Sequence, residues 1–352
     1  MKQFEYIRAR SISDAKSAAL GKNAVFLAGG TNLIDLMKVG VSRPDRVIDI
    51  TGLEELEHVD FLPDGGVRIG GLVRNTDLAY HPRFSRDYPS VAEALLSAAS
   101  GQLRNAATAA GNILQRTRCS YFFDLASVCN KRQPGSGCDA IGGENHTSAI
   151  LGWSASCIAT HPSDFGVPMV ALDAVVEIDG NAGAREVPLE EFYTAPGDSP
   201  QRETVLAPGE LVVSLRLPPA ARTFARHSRY LKLRDRTSFA FAVVSAAASL
   251  VLEGDVIRDA RLALGGVALK PWRARAAEAR LEGQALSQAL LAEVAELALA
   301  EARPSGDNAY KIELSKRLVV RALLLAKADN GAHMQSLPGS IFSGPSGVSN
   351  NG

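Results

Sequence analysis

Aromatic residues make up only 6% of this 352-residue chain, and it holds just two Trp and four Met. A surface that stacks bases needs aromatic faces, so the scarcity weighs against a single-strand nucleic-acid platform. An excess of one charge sign is missing too, since 38 Lys and Arg balance 38 Asp and Glu. Without a net basic field there is no electrostatic footprint for nucleic acid. No apolar run is fit to span a bilayer; the longest, residues 239–252, is short and rich in Ser and Ala, so no membrane insertion is expected. The opening residues, MKQFEYIRARS, contain no apolar core and no twin arginine. They predict no signal peptide, and the chain judged alone reads as cytoplasmic. Also missing are H-E-x-x-H, EF-hand and paired-carboxylate patterns, and the G-x-S-x-G elbow of a serine hydrolase.

Cysteine is scarce as well, and its placement is uneven. All four, Cys119, Cys129, Cys138 and Cys157, fall in one stretch with the spacing C-x9-C-x8-C-x18-C. No C-x-x-C pair occurs, so neither a zinc ribbon nor a thioredoxin site is indicated. Three readings are open. Buried free thiols pack as small hydrophobes, but they would be scattered through a core. Two disulfides suit an oxidising compartment, although a chain this long has no need of staples. A metal site suits four soft thiolates, which favour zinc or an iron–sulfur cluster. The intervening loop carries Pro134, Gly135, Ser136, Gly137, Gly142 and Gly143. It can wrap a cluster and turn N–H groups toward it. Arg116, Arg118, Lys131 and Arg132 lie close by in sequence and can offset thiolate charge, or can form an ordinary solvated basic loop.

The length allows two domains and a sizeable core. Residues 3–8 alternate like a short strand, and Ser11 or Ser13 is placed to cap a helix running through Ala19. The run Ala24-Val25-Phe26-Leu27 reads as a buried strand. It opens into Ala28-Gly29-Gly30-Thr31-Asn32, and helical spacing resumes at Leu33 and Ile34. Strand, glycine turn and helix start can aim successive N–H groups at an anion, although an ordinary βα turn has the same form. Further strands are expected at 46–50, 67–70 and 174–178, and helices at 90–100 and 167–172. Residues 98–101 and 106–111 are all small, which suits close approach to a flat ring or close helix packing. A domain boundary is placed near residue 180. Beyond it, 210–217, 224–233, 240–252 and 256–264 read as antiparallel strands, the last two joined by the Glu253-Gly254-Asp255 turn. Helices are expected at about 273–280, 287–301 and 308–328. The Gly- and Ser-rich residues 330–352 are expected to form a flexible tail. The fold class is α+β. His161, Ser163 and Asp164 do not make a nucleophilic triad, because neighbours within four residues cannot generally form that relay. His161 is expected to be a structural histidine.

Two segments flanking the cysteines carry a resemblance. Before them stands Arg104-Asn105-Ala106-Ala107-Thr108-Ala109-Ala110-Gly111-Asn112-Ile113, and after them Pro162-Ser163-Asp164. Together they are similar to the second flavin motif of the FAD-binding medium subunits of the xanthine dehydrogenase and molybdenum hydroxylase family. Ala110 stands where the first glycine of a G-G pair is usual. The Ala28-Gly29-Gly30-Thr31-Asn32-Leu33 turn resembles the family's first flavin motif. Tyr230-Leu231-Lys232 with Arg236, Ser238, Phe239 and Ala240 resembles a run in its C-terminal domain. The resemblance covers roughly residues 1–328. Most relatives keep the halves of the second motif nearly contiguous, whereas here the cysteines interrupt them. A comparable insertion in the family's periplasmic aldehyde oxidoreductases binds a four-iron four-sulfur cluster, and the 4-hydroxybenzoyl-CoA reductase subunit carries a cluster insertion too.

The resemblance implies a two-lobed FAD-binding domain of the PCMH type at 1–180, with an iron–sulfur insertion at about 116–158. A C-terminal domain with a small antiparallel sheet and helices would occupy 181–329. FAD would lie with its pyrophosphate against Leu27, Ala28, Gly29, Gly30, Thr31, Asn32, Leu33 and Ile34. Thr108, Gly111, Asn112, Gln115 and Asp164 would line the other side, with Asp164 bonding ribityl or ribose hydroxyls and Lys232 reaching in from the second domain. Cys119, Cys129, Cys138 and Cys157 would ligate one four-iron four-sulfur cluster. The implied role is electron transfer within a complex that oxidises aldehydes to carboxylic acids. A large molybdopterin subunit would oxidise the substrate, a small subunit with two two-iron clusters would relay electrons, and an external acceptor would take them from FAD. Relatives of this type reach the periplasm with a signal-bearing partner, which implies the same location here. Two alternatives remain at this point: the FAD subunit of a xanthine dehydrogenase or aryl-CoA reductase, or a binding scaffold with structural zinc.

Overall fold

Three separate sheets organise the chain in the computed structural model, which describes residues 1–21 and 23–328. The expected tail at 330–352 lies outside the described residues.

The first sheet contains β1 (Glu5–Arg8), β2 (Ala24–Leu27) and β3 (Arg46–Asp49), ordered β1-β3-β2 with both pairs parallel. Parallel neighbours need crossover connections. The helices Ile12–Ala18 and Leu33–Lys38 supply them. Ser11, not Ser13, caps the first: its hydroxyl accepts from Asp14 N at 3.1 Å. Ala15, Ile48, Ile50 and Leu53 fill the small core beneath this sheet.

The second sheet contains β4 (Val59–Phe61), β5 (Val67–Gly70), β6 (Val175–Gly180), β7 (Gly183–Pro188) and β8 (Leu211–Leu217). Its order is β4-β5-β8-β6-β7 and every pair is antiparallel. The position of β8 corrects the sequence reading, which assigned 210–217 to the C-terminal sheet and set a boundary near 180. The apolar pattern of β8 marks it as buried, but pattern alone does not name a strand's partners. Leu215 and Leu217 complete a core with Val67, Ile69, Val176, Phe165 and Leu95, so the first domain continues through 217.

The third sheet contains β9 (Ser228–Leu233), β10 (Val244–Glu253), β11 (Val256–Gly265) and β12 (Trp272–Arg273), ordered β12-β11-β10-β9 and antiparallel throughout. The helices Gln288–Ala298 and Tyr310–Lys327 cover it. Fully buried Leu250, Leu262, Val294 and Leu323 sit at that contact, each worth about 1.5–3 kcal/mol of burial. The strand expected at 224–233 starts only at Ser228, because 219–227 is a 3-10 stretch entered through Pro218 and Pro219. The strand expected from 240 starts at Val244, and 234–243 forms a loop. The cysteine stretch has one short helix, Ser120–Phe123, and otherwise consists of turns and isolated bridges.

Candidate functional site

A cleft of about 860 Å³ opens where the two N-terminal lobes, the cysteine stretch and the loop after β9 meet. Its size falls in the range of cofactor pockets. Thr31, Asn32, Gly111, Asn112, Gln115 and Asp164 all line it. The other expected residues shape it from behind. Leu27, Ala28, Gly29, Gly30, Leu33 and Ile34 build the turn that presents Thr31 and Asn32. Gly29 is required by contact: a Cβ there would lie 1.9 Å from Ala106 O. Gly30 is required by backbone, with φ at 70°. Thr108 faces the helix Ala109–Ile113 and caps it by accepting from Gly111 N at 3.3 Å.

Lys232 does not line the cleft itself. Its ammonium donates to Asp164 Oδ2 at 2.8 Å, and Tyr230 Oη donates to Asp164 Oδ1 at 2.5 Å. Tyr230 and Lys232 are two apart on β9, so both side chains face Asp164. Burial, then the Asp164 charge, pushes the Tyr230 phenol well above its usual value and keeps it a donor. Lys232 further donates to Ser97 O at 3.3 Å, beside Arg234 at 3.0 Å. One buried carboxylate thus ties the end of the cysteine stretch to β9 and to the helix Pro89–Ser97.

Polar atoms left without partners show what the cleft suits. Asn32 Nδ2, Asn75 Oδ1 and Arg118 Nε are buried with no hydrogen-bond partner, and all three residues line the cleft. An unsatisfied buried group costs about 1–3 kcal/mol, and three residues that carry one line the same cleft, so its wall is polar and suits a polar ligand. Phosphates and sugar hydroxyls of a dinucleotide offer both complements. Ala99 and Phe239, two of the non-glycine residues with positive φ (50° and 51°), line the same cleft. Backbone strain of this kind, about 1–3 kcal/mol per residue, concentrates at ligand sites. Ala98, Ala107 and Gly111 leave room for a flat ring. Asn75, Arg118 and Tyr230 were not singled out as site residues in the sequence. The alternation of Tyr230 with Lys232 was a usable signal; nothing in the local pattern marked Asn75.

His161 is no catalytic base. It is partly buried at the cleft wall, and desolvation holds it down to about 4. Its Nδ1 accepts from Ser163 N at 3.3 Å, and its ring packs on Tyr193 at 4.6 Å between centroids. Ser163 Oγ donates to Asn112 Oδ1 at 2.7 Å, so it addresses neither His161 nor a substrate.

The four cysteines are all free thiols in this structure. They also converge, which removes the scattered-thiol reading. Cys129 and Cys138 pair across an isolated antiparallel bridge. Cys119 feels the charges of Cys129 and Cys138, and Cys157 those of Cys138 and Cys119. Burial, with those neighbours adding, raises Cys119, and burial lifts Cys157 to about 11 against the opposing pull of Lys131. Such thiols ionise only when a thiophilic cation rewards it. Among the described residues, no group of three His, Cys, Asp or Glu side chains is placed to hold a metal ion.

The basic residues are not a solvated loop. Lys131 is buried and donates to Glu203 Oε1 at 3.0 Å and Pro200 O at 2.8 Å. Burial works against a charged Glu203, but Lys131 and Arg116 outweigh it and hold the carboxyl below its usual range. Arg132 donates to Tyr121 O and Phe122 O at 2.8 and 2.9 Å. Arg118 lies between the Phe123 and Phe241 rings. The far end of the stretch is clamped by the C-terminal domain. Lys311 donates to Thr147 O, Ser148 O and Gly266 O at 2.7–2.9 Å, and Asn308 Nδ2 to Ser148 O and Ala149 O. Cys119, Thr147 and Ser148 all line the flavin-sized cleft, so the thiol cluster and the cleft share a wall.

Comparison with known proteins agrees with this geometry. Residues 2–220 match the FAD binding domain in molybdopterin dehydrogenase, and 229–326 match the CO dehydrogenase flavoprotein C-terminal domain. The junction between them falls after β8. The chain is 49% identical over 330 residues to the aldehyde oxidoreductase FAD-binding subunit PaoB of Escherichia coli K12, covering 93% of this chain and 99% of that one. It is 27% identical to the putative xanthine dehydrogenase FAD-binding subunit XdhB of the same organism, over 94% and 98%. Among solved structures, carbon monoxide dehydrogenase from Hydrogenophaga pseudoflava superposes with a TM-score of 0.72 at 27% identity, covering 93% of this chain and 98% of that one.

Proposed function

The chain belongs to the molybdenum hydroxylase family as its FAD-binding subunit, and from that premise we propose that it serves an aldehyde-oxidising complex, carrying FAD and one four-iron four-sulfur cluster. Bound FAD and cluster supply the redox chemistry, while the protein supplies position and electrostatics. The 49% identity to a subunit named for aldehyde oxidoreductase supports the substrate class. The carrying observation for the second cofactor is Cys119, which lines the cleft and belongs to the converging thiols.

The residues divide the work. Asn32, Arg118 and Asn75 would offer the dinucleotide polar side chains on the cleft wall. Asp164, anchored by Tyr230 and Lys232, keeps lone pairs for ribityl or ribose hydroxyls. Ala98, Ala107 and Gly111 admit the flat ring closely. Cys119, Cys129, Cys138 and Cys157 hold the cluster, and Lys131, placed near Cys157, offsets part of the thiolate charge. Substrate oxidation falls to a large molybdopterin subunit, and a small subunit with two two-iron clusters delivers electrons that leave to an external acceptor. A signal-bearing partner carries the chain to the periplasm.

Isolating the native complex through a tag on this chain tests the proposal. Molybdenum, iron and flavin should co-purify with two further subunits, and aldehydes should bleach the flavin absorbance while forming carboxylates. Bleaching by xanthine but not by aldehydes would move the chain to the xanthine dehydrogenase reading. A colourless chain that retains zinc would support the scaffold reading instead.

A further inference from the structure

Cys129 and Cys138 occupy a geometry that neither of the other cysteines shares. Between them the chain doubles back through two left-handed glycines, Gly135 (φ 81°) and Gly137 (φ 108°). Gln133 N donates to Cys129 O at 2.8 Å, and Gly137 N donates to Asn130 Oδ1 at 2.8 Å, which closes the turn. Asp139 N donates to Val128 O at 3.0 Å, just outside the pair, and Val128 N returns a bond to Asp139 Oδ2 at 2.6 Å. With the ladder bond on the flanking residues, Cys129 and Cys138 form a non-hydrogen-bonded antiparallel pair. The Cα atoms of such a pair lie about 4.5 Å apart with side chains on one face. A disulfide spans Cα separations of about 4.4–6.8 Å, so the backbone spacing of this pair class falls within disulfide reach. Cys157 instead bridges Ser154, and Cys119 stands at the head of the helix Ser120–Phe123.

We infer that Cys129 and Cys138 are a thiol–disulfide modification site, which a small disulfide oxidant such as oxidised glutathione closes in the iron-free chain. Cys138 is half-buried and Cys129 buried, which sets the order. The Cys138 sulfur attacks the oxidant, forming a mixed disulfide and releasing one small thiol. The Cys129 sulfur then displaces the second small thiol and forms the intramolecular bond. Two protein thiols are oxidised, and their two electrons and two protons leave as two reduced small thiols. The closed bond withdraws two of the four thiols from any metal. Metal loading therefore precedes exposure to a thiol oxidant, or a reductant must reopen the bond. The pairing is a property of the thiols and does not depend on the iron–sulfur reading; only this consequence for loading does.

The test uses the full-length chain. Metal is removed with a chelator under reducing, anaerobic conditions, oxidised glutathione is added, and remaining thiols are alkylated. A non-reducing digest is then read by mass spectrometry. The expected product is a Cys129–Cys138 cross-link with Cys119 and Cys157 alkylated. Cys119→Ser should keep that cross-link, and Cys129→Ser should leave a glutathione adduct on Cys138. A different pairing in equal or greater yield, or four alkylated cysteines, overturns the inference. The iron content of untreated protein is measured alongside: an iron-free starting material that still gives the cross-link contradicts the cluster and supports the thiol pair.

Discussion

Replacing Gly29 with Ala is the sharpest perturbation of the cofactor cleft. The added Cβ would lie 1.9 Å from Ala106 O and 2.6 Å from Ala106 C. Both are backbone atoms, so no side chain can swing aside. The turn after β2 and the helix Gly101–Ala106 must part by roughly 1.5 Å to restore ordinary contact. That movement reaches the site from both directions. Thr31 and Asn32 follow the turn, while Ala107 lines the cleft and its carbonyl accepts from Asn75 N at 2.9 Å. Overpacking of this kind costs about 1–3 kcal/mol. If the strain is relieved by opening the cleft, the same energy comes off FAD binding, a loss of about 5- to 150-fold in affinity. Gly30→Ala is the comparator. Its Cβ would meet Ile34 Cγ1, a side-chain atom, at 3.0 Å, and its φ of 70° costs about 1–2 kcal/mol. Gly101→Ala, which meets nothing within 4 Å, is the control. FAD per chain after gel filtration and urea midpoints for the three variants make the assay. Gly29→Ala should lose most FAD, Gly30→Ala less, and Gly101→Ala none. A Gly29→Ala protein with full FAD and wild-type stability would refute the packing argument.

Asp164→Asn leaves the Lys232 ammonium, 3% exposed, without its counter-charge, and should destabilise the fold by about 3–5 kcal/mol in urea unfolding; a change below 1 kcal/mol would show that the pair is not held as described. His161 is depressed to about 4 in the fold, against 6.5 when unfolded. Only the unfolded chain takes up that proton as pH falls from 6.5 toward 4, so stability present above 6.5 is lost on acidification. At pH 5 the loss is about 2 kcal/mol, and His161→Gln should not show it; equal pH slopes for both proteins would contradict the neutral imidazole. Lys311→Met strands three carbonyls, so amides around 145–149 should exchange faster with deuterium while those of β5 and β8 do not. Fractionation of cells expressing the chain with and without its small-subunit partner should show a partner-dependent move to the periplasm; an unchanged location counts against carriage by a partner.

Much of this architecture is legible in local sequence, for definite reasons. The run Ala24-Val25-Phe26-Leu27 followed by Gly29 and Gly30 fixes strand, turn and helix within a few residues, because backbone permission is a local property. The strand 256–264 and the helix beginning near 308 are likewise carried by apolar period and turn chemistry. Partner choice is not local. Leu211–Leu217 shows the same buried alternation whether it joins the second sheet or the third, and only the assembled core of Val67, Val176 and Leu215 decides. Residues 240–243 continue the apolar run that reads as a strand, yet they lie in the 234–243 loop, where Phe241 is exposed along the cleft. Within the site, Asp164 and Asn112 were found through their motif. The service of Lys232 to Asp164, and the unpaired Asn75 Oδ1, needed coordinates, since each depends on a contact across distant parts of the chain.

If Cys119, Cys129, Cys138 and Cys157 hold a four-iron cluster beside the flavin cleft, metal and flavin analysis of the chain purified without oxygen will read it. One FAD and about four iron atoms per chain are expected, with matching acid-labile sulfide, and a marked loss of iron in each of Cys119→Ser, Cys129→Ser, Cys138→Ser and Cys157→Ser. A chain that binds FAD but contains zinc, or disulfides and no iron, would contradict it.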